Sequence, residues 1–164
     1  MEVITHHSIA RATEEAVRLW ALASAQFPTQ HRLILDVTAT SVIEVASAFA
    51  LNARRAMEIL PSNEKFPLVQ PRWNWAPTSD GKVVKDLWEA LNQIVHAQKL
   101  QVGFESLPSQ LAAIDGGALI VPYIKAATDR KPLAFIDPFA LAHAYLYGVY
   151  PKLVTAEERN KSVH

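Results

Sequence analysis

Cysteine is absent from the 164 residues, which excludes a disulfide frame, a reactive thiolate and a thiolate metal site. Glycine is scarce, at five residues. The one adjacent pair, Gly116-Gly117, lacks the strand–loop–helix setting of a phosphate loop. No sign of charge dominates, since sixteen Lys and Arg balance sixteen Asp and Glu. A domain built mainly to hold nucleic acid carries a basic excess, so any phosphate contact here must be a local cluster. Six histidines are present, yet none falls in a His-x-x-x-His or Glu-x-x-His spacing, and there is no serine elbow. Neither a compact metal site nor a serine triad is expected, and no cofactor. Long hydrophobic runs are also missing. SVIEVASAFAL, residues 41–51, falls short of the about 20 residues that cross a bilayer, and Glu44 interrupts it. MEVITHHSIARATEE places charges where a signal peptide needs an apolar core. The expectation is a soluble, cytoplasmic protein with no membrane contact.

What is present is apolar residue content at helical spacing. Half the residues are hydrophobic, enough for the core of a single domain over 1–164. Residues 8–26 read as a helix with Ser8 as N-cap and Ile9, Thr13, Ala16, Trp20 and Ala23 on one face. Phe27-Pro28 ends it. Thr29 can cap a second helix running to about Leu60, with Val42, Val45, Phe49, Ala53, Ala56 and Leu60 as its apolar stripe. Residues 61–81 hold four prolines and the pair Trp73 and Trp75, and read as a long loop closed by Asp80-Gly81. The two tryptophans either tack this loop onto the bundle or form a stacking platform.

A third helix is expected over 82–98, with Val84, Leu87, Leu91 and Ile94 toward the core and Trp88 and Val95 beside them. Then the period changes. Leu100, Val102 and Phe104 alternate as in a half-buried strand. A β-hairpin at about 118–137 follows, built from ALIVPYIKA and PLAFID, with Pro122 at an edge or a bulge. Asp137 caps a last helix, Pro138 takes its first position and Gly148 lies past its end. The tail 156–164 is polar and expected to fray. The fold class is mostly α, α+β in composition: a helical bundle with a small antiparallel sheet in the C-terminal half.

One stretch carries chemistry. On a helical wheel Lys85, Glu89, Asn92, His96 and Lys99 share a stripe at spacings of four and three. Asparagine is a poor helix former, and a solvated face has better choices. His143 lies in apolar LAHAYLYG and reads as a core histidine with a hydrogen-bond partner.

LNQIVHA, late in a helical bundle and ahead of strands, resembles the HEPN family. These are small helical proteins, many of them ribonucleases of toxin–antitoxin and phage-defence systems, generally working as dimers. Their motif is an arginine, a polar residue, three variable residues and a histidine. Asn92 and His96 match the polar residue and the histidine; Leu91 stands where the arginine should be. The matches cover about a dozen residues. The resemblance implies His96 and Asn92 as catalytic candidates, a homodimer with a shared cleft at His96, and RNA or a partner protein as ligand.

The leucine matters chemically. Metal-independent RNA cleavage needs a base for the 2′-hydroxyl proton and positive charge on the phosphorane. Histidine suits the first task, with an unperturbed pKa of about 6.5. Leucine cannot perform the second, whereas arginine can. The expectation is therefore a binding protein with a degenerate ribonuclease motif. The runner-up is an active ribonuclease that takes its cation from Arg54 or Arg55. A third reading is a helical interaction or small-ligand module using the Trp73/Trp75 loop. Arg54, Arg55, Lys85, Lys99, Trp73 and Trp75 are the candidate binding residues.

Overall fold

The computed structural model describes residues 2–69, 81–129 and 132–163. It is α+β, with a helical layer packed on a small mixed sheet. Helix α1 (Glu2–Ser24) and helix α2 (Arg32–Met57) lie against each other along an alanine-rich seam. Ala12, Ala16, Ala46, Ala50 and Ala53 are fully buried, and such small side chains let two helix backbones approach closely. Ser8 does not cap α1. The helix starts six residues earlier and buries Ser8 within it. His6 on that extra stretch pairs with Glu157 at 3.0 Å, tying the start of the chain to its last helix. Nor does Thr29 cap α2. His31 is the N-cap, its Nδ1 accepting from the Ile34 amide at 3.3 Å.

Strand β1 (Phe27–Pro28), strand β2 (Lys82–Val83), strand β3 (Lys99–Ser106), strand β4 (Ala118–Ala127) and strand β5 (Ala134–Ile136) form one sheet. β4 is its spine. It pairs antiparallel with β3 on one edge, and with β1 and β5 on the other. The β4–β5 hairpin falls within 118–137, as its sequence predicts. Pro122 sits at a bulge and not on an edge strand. Between the pairs Gly103–Tyr123 and Glu105–Ile120, β3 advances two residues and β4 three. The extra residue removes the need for one ladder bond, which is what proline requires.

The third helix is shorter than its pattern suggests. Helix α3 spans Leu87–Val95, because Lys82 and Val83 pair parallel with Ala134 and Phe135 instead. Asp86 caps α3, its Oδ2 accepting from the Glu89 amide at 3.2 Å. The approach to α3 is stitched to residues 66–68. Leu87 donates its amide to Phe66 O at 2.9 Å, and Leu68 to Lys85 O at 2.7 Å. Phe66 itself is core. Trp73 and Trp75 lie outside the described residues.

Asp137 caps the next helix as its sequence predicts, Oδ1 accepting from Phe139 N at 2.8 Å and Ala140 N at 3.1 Å. Helix α4 (Pro138–His143) then continues through a π-helical segment (Ala144–Val149) into helix α5 (Tyr150–Ser162). Gly148 is therefore inside a helical run, not past its end. A Cβ there would stand 3.0 Å from the Phe66 ring, so close packing, not capping, asks for glycine. The polar stretch from 156 to 162 is helical, not frayed.

The α1–α2 seam also holds a carboxylate. Glu15 is 4% exposed. Both its oxygens lie near one donor, Asn52 Nδ2, at 3.3 and 3.2 Å. Burial pushes its pKa up, against the Asn52 hydrogen bond and the nearby Arg11 and Arg18 charges. A carboxyl raised on folding favours the native state below its unfolded pKa, and that contribution disappears as pH rises through the folded value. Glu15→Gln should therefore melt higher than wild type at pH 7, with the gap closing toward about pH 4, where carboxyls protonate in either state. Melting curves across that range test it; a variant less stable than wild type at pH 7 would show Glu15 to be a net stabilising ion.

Candidate nucleic-acid interface

The five residues of the helical-wheel stripe do not share one helix. Only Glu89 and Asn92 lie within α3. Lys85 precedes the N-cap, His96 is the C-cap and Lys99 opens β3. Glu89 bonds Lys82 at 2.5 Å. Lys85 borders an open groove with Lys82, Val83, Asp86 and Glu89, where two ammonium groups face two carboxylates and no net cation site results.

Asn92 and His96 are one turn apart, the His96 amide donating to Asn92 O at 3.1 Å. Asn92 is half-buried and His96 exposed. Both lie off the buried arc of Leu87, Ala90, Leu91 and Ile94. Leu91, in the arginine position of the resemblance, is 0% exposed. It belongs to the main core together with Val42, Phe49 and Ile124. Gln93, between Asn92 and His96, is buried too. Among the described residues its Oε1 finds no donor.

One cation reaches α3 from α2. The Arg54 guanidinium carbon lies 5.7 Å from the centre of the Trp88 ring, within cation–π range. Trp88 is on the first turn of α3 and is 38% exposed. Asn92 follows one turn later on the same side. Arg54 is half-buried, and its Nε–H has no acceptor among the described residues. Arg55 is exposed and makes no ion pair among them. The structure thus separates the two arginines: Arg54 joins α3 and Arg55 faces solvent. Trp88 is the residue that pattern reading undervalued. Its helical phase places it beside the core, but only tertiary contact brings Arg54 over it.

His143 is not enclosed in the core. It is half-buried in a ladder of rings, 4.7 Å from Tyr147 and 6.2 Å from Trp20 between centroids, near-parallel to both. No three His, Asp or Glu side chains converge on a possible metal position among the described residues. Among those residues α2 alone is long and apolar enough to cross a membrane, a test that the core helix of a soluble protein also passes. No family model, curated protein or solved structure matches the chain.

Proposed function

We propose that this chain is a HEPN-like, cytoplasmic RNA-binding protein that works as a homodimer and does not cleave what it binds. The observation that supports this reading is Arg54 over the Trp88 ring, one helical turn before Asn92. The leucine of the degenerate motif faces the core, so that position offers no charge to RNA. Arg54 supplies one from the neighbouring helix. Trp88 lies within cation–π reach of that guanidinium, and the paired N–H donors of a guanidinium suit phosphate oxygens best. The Asn92 carboxamide and His96 continue the polar edge beyond it.

Distance argues for binding over cleavage. Arg54 sits at Trp88, eight residues before His96, or roughly 12 Å along a helix axis. A base and a charge-stabilising cation must both lie within about 3 Å of one reacting phosphodiester. In one chain these two groups serve separate phosphates better than one.

Fluorescence polarisation with a labelled mixed-sequence single-stranded RNA tests the reading. Arg54→Ala should weaken binding roughly 10- to 100-fold, the loss of a charge-assisted contact. His96→Ala should weaken it less, and the wild type should leave the RNA intact. If the wild type cuts RNA and His96→Ala stops it, the chain is a metal-independent ribonuclease of the toxin–antitoxin kind. If RNA does not bind at all, the RNA reading fails.

A further inference from the structure

The outward side of α2 carries an order of residues that an isolated surface helix has little reason to keep. Leu33, Val37, Thr40, Glu44, Leu51 and Arg55 recur at spacings of three, four and seven and are all exposed. Leu33 is 68% exposed, Val37 57% and Leu51 51%. The stripe continues past the helix end to Ile59, also exposed. From Arg32 to Ile59 it runs about 40 Å. Exposed apolar side chains recurring toward both ends of one helix face mark an interface.

The charges at its two ends say what covers it. Arg32 opens α2 and Glu58 closes it as the C-cap. Each opposes its own helix dipole, which favours acids at the start and bases at the end. Along the exposed face the order is Arg32 (positive), Asp36 (negative), Glu44 (negative), Arg55 (positive) and Glu58 (negative). Reversed, the same order becomes negative, positive, negative, negative, positive. A second α2 laid antiparallel therefore sets Arg32 against Glu58 and Asp36 against Arg55, twice each by symmetry. A parallel copy would set like against like at all five positions, whereas the antiparallel copy does so only at the central Glu44. Arg32 makes only a loose contact with Asp36 at 3.7 Å, and Arg55 and Glu58 make no ion pair among the described residues, so all four side chains are available.

We infer that α2 is the self-association surface: two copies of this chain pair their second helices antiparallel, with Arg32 of each beside Glu58 of the other. Leu33 then packs near Ile59 of the second copy and Leu51 near Thr40. The two Glu44 carboxylates lie close to the two-fold axis, each next to a Ser47 hydroxyl. This inference rests on the homodimer of the proposed function, and replaces the His96 face with α2 as the contact.

Charge reversal tests it on the full chain. Sedimentation equilibrium should find a wild-type dimer. Arg32→Glu and Glu58→Arg should each raise the dimer dissociation constant roughly tenfold, since two attractive contacts become repulsive. The double variant Arg32→Glu/Glu58→Arg should return it to near the wild-type value, because the pattern is again self-complementary. Leu51→Asp should give monomer. All these positions are exposed, so circular dichroism should report unchanged folding. Weakening without rescue in the double variant overturns the antiparallel register. A dimer indifferent to all four variants overturns α2 as the surface and leaves the dimer standing. A monomeric wild type removes both, while RNA polarisation on the same samples still decides the RNA reading.

Discussion

Leu91→Arg is expected to unfold the protein, not to restore a nuclease. On the motif alone this substitution completes the arginine, polar residue and histidine pattern. In the fold it drives a guanidinium into the main core, where Leu91 is fully enclosed and sits with Val42, Phe49 and Ile124. Removing a buried leucine side chain costs about 2–5 kcal/mol. Burying a charge that has no partner adds several kcal/mol more. Domains of this kind are stable by only ~5–15 kcal/mol. The variant should therefore accumulate as insoluble or proteolysed chain. Leu91→Met should keep native circular dichroism, at a cost below about 1.5 kcal/mol, because it conserves volume and polarity. A folded, soluble Leu91→Arg that cuts RNA would mean that α3 presents position 91 outward, and the geometry described above would be wrong.

That expectation was already implicit in the sequence. Val84, Leu87, Leu91 and Ile94 have one helical phase, and all four are buried. A residue in that phase cannot also be an exposed motif cation. The features that read correctly are those whose cause is local. Asp137-Pro138 caps a helix because the cap and its amides are two and three residues apart. Alternation in β3 follows from the pleat. The features that read poorly depend on distant partners. Lys82 and Val83 look like the first turn of a helix, and become strand because β5 offers them a parallel edge. Gly148 looks like a helix stop, and is a seat for Phe66. The wheel that joined Lys85 and Lys99 to His96 assumed that α3 keeps going. It fails once β2 and β3 claim its two ends. Arg54 over Trp88 could not be seen at all, because nothing in either segment specifies how α2 and α3 cross. A basic residue in a last helical turn is ordinary, and an aromatic beside a core stripe is ordinary packing.

Tyr145→Ala should cost about 3–5 kcal/mol, in the range for removing a large buried side chain. For a chain of this size the melting point should fall by roughly 10 °C. Tyr145 is fully buried in the π-helical segment and meets the Phe49 ring of α2 edge-on, at 5.4 Å and 88°. Its hydroxyl reaches α1, 3.3 Å from Thr13 Oγ1 and 3.4 Å from Ile9 O. One side chain thus joins three helices. The hydroxyl is the minor part. Ile9 O also accepts from Thr13 Oγ1 at 2.7 Å, so Tyr145→Phe leaves it paired and should cost only about 1 kcal/mol. The two substitutions separate further at high pH. Burial pushes the Tyr145 hydroxyl up to about 12, against the lowering effect of the Thr13 hydrogen bond. A group raised on folding contributes stability that is complete below its unfolded pKa, about 10 for tyrosine, and is lost as pH rises through the folded value. Wild type should therefore lose stability between about pH 10 and 12 more steeply than Tyr145→Phe, which has no phenol to ionise at this position. Urea midpoints measured at pH 8, 10 and 11 decide it. Parallel losses in wild type and Tyr145→Phe would show that Tyr145 ionises as freely in the folded chain as in the unfolded one, and that it does not fill the junction of α1, α2 and the π-helical segment.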